Sequence, residues 1–169
     1  MGLQQVSSLK NIYDVKELTF LVVLDGSIPK ETFNALRYAA KRTARINGRV
    51  ALLYTFETLE FSHWKAVEDI GEIELREEAE SKIKEYENYV LTFSDKRPKK
   101  FIMKGDRVEC IIEFLNANKF ISNFVLALSS NKSSDPLINA FTIKQSDKIK
   151  VPITIIPPTL SEEEIDNLS

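Results

Sequence analysis

Few side chains in this 169-residue chain are chemically versatile, and their number and spacing limit what they can do. The one cysteine, Cys110, cannot close an internal disulfide, and with the one histidine, His63, it cannot complete a zinc site of the usual Cys/His kind, so no metal is expected. His63 stands beside Trp64 with no nucleophile or placed partner, and a structural or surface role outweighs acid/base catalysis. Cys110 follows Arg107 by three residues, where a helix amino terminus would lower a thiol pKa, yet burial as a small residue is the stronger expectation. No catalytic residue is assigned.

Two polar segments are better suited to binding. Asp25-Gly26-Ser27 closes an apolar run, and Ser129-Ser130-Asn131-Lys132-Ser133-Ser134 offers hydroxyls and an ammonium to an anion. Each also reads as ordinary loop chemistry, the first as a strand-to-helix turn and the second as a solvated connection. The five glycines, at 2, 26, 48, 71 and 105, are too far apart for a P-loop or a dinucleotide fingerprint.

The totals exclude further classes. With 23 basic and 25 acidic side chains the formal charge is -2, which supplies no overall field to hold a polyanion, so nucleic acid is not an expected partner. The carboxylates between Glu68 and Glu87 alternate with Lys and Arg and predict a solvated helix face instead of a metal cage. Lys96, Arg97, Lys99, Lys100, Lys104 and Arg107 form a basic stretch, read as solubility or as a docking patch for an acidic partner or a phosphorylated ligand. The opening residues lack a basic region followed by an apolar core, Val6 stands where myristoylation wants Ser or Thr, and no segment approaches the roughly 18 to 20 apolar residues of a membrane span. A cytoplasmic, membrane-free protein is expected, folded as a single domain over 1–169 with an N-terminal arm (1–17) and a C-terminal tail (158–169).

The elements that must position these groups alternate. Thr19 to Leu24, Arg49 to Phe56, Lys99 to Lys104, Phe124 to Leu128 and Val151 to Ile156 are short apolar runs of strand length, with Phe124 to Leu128 apolar enough to need cover on both faces. Between them, Phe33, Leu36, Ala40 and Ala44 recur at helical spacing, as do Ala79, Ile83, Tyr86, Val90 and Phe93, and then Val108, Ile111, Ile112 and Leu115. Glu72-Arg76, Glu78-Lys82 and Glu80-Lys84 are spaced to pair. Asn47-Gly48 predicts a helix stop; Asp106 with Glu109, Asp135-Pro136 and Ser161 with Glu164 predict helix starts. Pro152 places the last strand at an edge. Strand-helix alternation of this kind means an α/β fold with an open, mostly parallel sheet and helices on both faces, and a ligand cleft at the carboxyl ends of the strands. That gathers Asp25, Tyr54 to Glu57, Lys104-Gly105 and Ser129 to Ser134.

The strings FLVVLDGS, ALRYAAKRTARINGRVALLY, MKGDRVECIIEF, FVLALSS and VPITIIP, in this order, resemble the universal stress protein family over nearly the whole chain. FSHWKAVEDIGEIELREEAE, DPLINAF and LSEEEID look most similar to alphaproteobacterial members. The resemblance implies a Rossmann-like five-stranded sheet in the order 3-2-1-4-5 and a homodimer through the last strand, with Val151, Ile153 and Ile155, or Thr154 and Ile156, at the seam. An apolar, β-branched edge strand also needs covering on physical grounds.

Many members of the family bind ATP through G-x-x-G, nine residues, then G with Ser or Thr after strand four. Here Leu128 and Asn131 occupy the first two glycine places, and a Cβ there obstructs the close approach of amides to phosphate. A retained nucleotide site (ATP or AMP) would use Asp25, where family members contact adenine, with Gly26, Ser27, Gly105, Ser129 and Ser130. The sequence therefore predicts a homodimeric stress-response binding module with a degenerate nucleotide site, no enzymatic activity, no certain cofactor and an unknown protein partner. The alternative is an adenine-nucleotide sensor.

Overall fold

Each of the five apolar runs forms a strand in the computed structural model: β1 (Thr19–Leu24), β2 (Arg49–Phe56), β3 (Lys99–Lys104), β4 (Ile121–Ala127) and β5 (Ile153–Ile156). They lie in the order β3-β2-β1-β4-β5, and every neighbouring pair is parallel. The structure describes residues 16–26, 29–58, 65–131 and 135–169. Ser27, His63, Trp64, Lys132, Ser133, Ser134 and most of the N-terminal arm lie outside the described residues.

β1 is central and buried throughout, so its alternating side chains serve two cores. Phe20, Val22 and Leu24 pack with Leu52, Val125 and the helices α1 (Pro29–Arg45) and α2 (Lys65–Leu91). Leu21 and Val23 pack with Leu53, Phe124 and Leu126 against α3 (Arg107–Ala117) and against α4 (Pro136–Asn139), which runs on into a π turn over Ala140–Lys144. The arrangement is an α/β sheet covered on both faces, as expected.

Local signals behave as the spacing predicts, with shifts that packing explains. On α1, Leu36 and Ala40 are buried, but Ala44 is exposed; Thr43 takes the inward place. Its hydroxyl is satisfied by donating to the Ala39 and Ala40 carbonyls at 2.8 and 3.1 Å. Asn47 ends the helix at φ 54, and the Gly48 N–H donates to the Thr43 carbonyl at 2.7 Å. On α2, Ala79, Ile83, Tyr86 and Val90 are buried. The Glu72-Arg76 and Glu78-Lys82 pairs form at 3.8 and 3.0 Å, whereas Glu80 and Lys84 do not pair. The stripe of α3 turns toward Cys110 and Phe114 beside Ile111 and Leu115. β5 begins two residues later than predicted, leaving Val151 and Pro152 before it. The Pro152 carbonyl accepts from the Phe124 N–H at 2.8 Å, so the proline joins the ladder through the one backbone group it can offer.

The chain closes with α5 (Glu162–Leu168), started by the predicted capping box of Ser161 and Glu164. Ile165 is fully buried. Arg37 of α1 grips Asp166 through two bonds of 2.7 and 2.8 Å and Glu162 through a third of 2.8 Å. Lys41 adds a contact of 2.8 Å to Asp166.

Candidate functional site

A cleft of about 840 Å³ opens where the strands end, the place that sheet topology reserves for ligands. Asp25, Thr55, Phe56, Glu57, Gly105, Ser129, Ser130 and Asn131 line it, as the sequence predicts. Tyr54, Lys104 and Gly26 do not line it. Gly26 is an exposed turn residue, and an added Cβ there would meet open space.

Asp25 is set at the cleft floor because β1, buried along its length, delivers it there. Its carboxylate meets the Arg107 guanidinium at 2.8 Å, and its carbonyl accepts from the Thr32 hydroxyl at 3.0 Å, tying α1 to the end of β1. Arg107 is the first residue of α3, and its Nε also donates to Thr55 Oγ1 at 3.4 Å. The turn that brings Arg107 in depends on Gly105, whose φ of +137° favours glycine; its N–H donates to the Phe56 carbonyl at 2.9 Å. A Cβ on Gly105 would also stand 3.2 Å from the Cys110 sulfur. Cys110 is buried, and burial pushes its thiol pKa up, so it is not the reactive thiolate that its place near a helix start allowed.

The loop after β4 is where the structure adds most. The Ser130 N–H and hydroxyl both donate to Glu31 Oε1, at 3.2 and 2.6 Å. The Ser129 N–H donates to Asp135 Oδ2 at 3.0 Å, while Asp135 Oδ1 accepts from the N–H groups of Leu137 and Ile138. The Asn131 N–H donates to Ser129 Oγ at 3.1 Å. Glu31 is buried, and the Ser130 hydroxyl bond holds its carboxyl below the usual carboxylate range. The Ser129 and Ser130 amides are thus already bonded to carboxylates of the same chain. Among the described residues that line the cleft, Asp25, Glu31, Glu57, Asp106 and Asp135 stand with Lys30 and Arg107.

Sequence reasoning placed Asp25, Thr55, Gly105, Ser129 and Ser130 around the cleft but assigned no part to Glu31. Arg107 was read as part of a basic surface and Asp135 as a helix cap. Glu31, four positions after Ser27, looks in sequence like an ordinary first-turn acid complementing the helix dipole. The predicted basic patch is largely spent: Arg97 and Lys100 pair with Glu87 at 3.3 and 2.7 Å, Lys104 with Glu72 at 2.7 Å and Lys96 with Glu17 at 3.6 Å. Among the described residues, no group of acidic, His or Cys side chains is arranged to hold a metal ion, and no helix is long and apolar enough to cross a membrane.

No protein-family model matches the sequence, and no curated protein matches it. Solved structures do. A universal stress protein, UspA, from Lactobacillus plantarum superposes with a TM-score of 0.67 at 16% identity, over 85% of this chain and 99% of that one. A universal stress protein family member from Burkholderia pseudomallei gives 0.62 at 16% identity over 85% and 98%. A universal stress protein solved in complex with cAMP gives 0.57 at 13% identity over 85% and 99%. At such identities the likeness speaks for backbone architecture, and by that measure this chain has the universal stress protein fold.

Proposed function

We propose that this chain is a stress-response or regulatory binding module of the universal stress protein type, related to alphaproteobacterial members, cytoplasmic and without catalytic activity of its own, whose rim cleft no longer accepts a nucleotide triphosphate. One observation carries the reading: Glu31 accepts from the Ser130 amide at 3.2 Å and Asp135 from the Ser129 amide at 3.0 Å. A triphosphate would have to displace two carboxylates and then sit beside them, and like charges in a partly desolvated cleft repel. Function then rests on association. Two copies pair through β5, which has a strand neighbour on one side only and so presents an unpaired row of backbone groups. Ile153 and Ile155 are already half-buried against the α3 side and Ile156 is buried against the α1 side. The seam is therefore the outer backbone edge of β5, flanked by Val151 and Thr154.

A second reading, an adenine-nucleotide sensor, is favoured by the size of the cleft, about 840 Å³, and by the cAMP held by one protein of the same fold. Titration calorimetry with ATP, ADP, AMP and cAMP at about millimolar concentration separates the two. No heat with the wild type, and measurable ATP binding by the Glu31→Gln/Asp135→Asn variant, is the expected result. ATP binding by the wild type that the double substitution leaves unchanged overturns the reading.

A further inference from the structure

The amino-terminal half of α2 does not behave like the rest of that helix. Farther along, the apolar residues turn inward, whereas Ile70 and Ile73 are 59% and 58% exposed. Being three residues apart, they are neighbours on one helix face. Between them sits Gly71, a poor helix residue with nothing within 4 Å of where a Cβ would stand, so internal packing does not account for it. A groove of about 530 Å³ runs beside Ile73.

Charge at this place is concentrated. From Asp69 to Glu80 the chain carries Asp69, Glu72, Glu74, Glu77, Glu78 and Glu80 against the lone cation Arg76, although the whole protein is only -2. Glu72 is engaged by Lys104 and Arg76, and Glu78 by Lys82. Asp69, Glu74, Glu77 and Glu80 have no ion-pair partner among the described residues.

We propose that this face is a docking surface for a basic amphipathic segment of another protein, whose apolar side chains cover Ile70 and Ile73 while its lysines or arginines meet the surrounding carboxylates. Charge complementarity selects the occupant. A nucleic acid or an anionic membrane is repelled by the same carboxylates. A second copy of this chain is a poor fit, because the basic groups around β3 are largely bonded to its own Glu87, Glu72 and Glu17. Two exposed isoleucines at the centre of a charged rim match the layout of protein interfaces, apolar within and polar at the edge. The proposal does not depend on what the cleft at the strand ends binds.

The test is fluorescence anisotropy with a labelled amphipathic helical peptide of leucine and lysine, titrated with wild-type protein and with Ile70→Ser/Ile73→Ser. Both substituted positions are solvent-facing, and circular dichroism verifies the fold. The expected result is saturable binding that weakens roughly tenfold or more in the double variant and weakens with added salt. Ile143→Ser, which alters an exposed isoleucine elsewhere, leaves it unchanged. Absence of saturable binding to wild type, equal affinity for the double variant, or equal binding of a peptide with glutamate in place of lysine overturns the proposal.

Discussion

Carboxylates hold two parts of this molecule together, the loop at the strand ends and the C-terminal helix, and the two differ in what answers the negative charge. At the cleft, Glu31 and Asp135 are met by backbone N–H groups and a serine hydroxyl. At α5, Asp166 is met by the guanidinium of Arg37 and the ammonium of Lys41. The first arrangement bonds the carboxylates to neutral donors and leaves their charge in place; the second neutralises it. Similar acids thus order a loop in one place and fasten a tail in the other, because a carboxylate accepts both from neutral N–H and O–H donors and from cations.

The largest expected effect tests whether the tail is held by charge at all. Ile165 is fully buried beneath α5, and Ile165→Ala is expected to cost about 2 to 5 kcal/mol by urea denaturation through lost burial and a residual cavity. A cost under about 1 kcal/mol would mean that the ion pairs carry the attachment by themselves. The next effect is smaller. Arg37→Ala removes both bonds to Asp166 and the one to Glu162 and is expected to lower Tm by a few degrees. It should also flatten the dependence of Tm on salt, since the lost contacts lie partly in solvent; an unchanged salt dependence would assign that dependence to other pairs.

The smallest effect is one of pH, and it separates the two regions directly. The bond from Ser130 holds the Glu31 carboxyl below the usual range, and the Arg37 and Lys41 contacts hold Asp166 far below it. A depressed folded pKa contributes stability that is fully present above the unfolded pKa and is lost as pH falls through the folded one. Acidification should therefore release the loop after β4 before it releases α5. Hydrogen exchange at Ser130 and Ile165, followed from neutral pH down through and below the ordinary carboxylate range of about 4, measures the order, and Glu31→Gln should remove the acid-sensitive step at Ser130. Simultaneous release, or release of α5 first, would contradict it.

Legibility divides along the distance over which residues act. Helix starts at Asp106, Asp135 and Ser161 were readable because a cap acts within three residues. Strand existence was readable because β1 and most of β4 are buried on both faces and their composition shows it. The roles of Glu31 and Arg107 were not readable. Glu31 meets a residue 99 positions away, and Arg107 meets Asp25 across two intervening strands and two intervening helices. Nothing in the local pattern distinguishes such an acid from a solvated one. The basic stretch near β3 misled for the same reason, since its partners Glu87 and Glu72 belong to a helix face that only packing brings over it.

By itself the order of apolar runs, breakers and caps determined an α/β parallel sheet, and the glycines at 2, 26, 48, 71 and 105 determined that no glycine-lined phosphate cradle follows β4. Those are consequences of local stereochemistry and of periodicity, which neighbours in sequence carry between them. Tertiary structure alone decided that carboxylates bond the amides of the loop after β4 and that two isoleucines of α2 face solvent. Both depend on which surfaces the folded sheet and its helices bring into contact, and contact between segments far apart in the chain leaves no mark on either segment read separately.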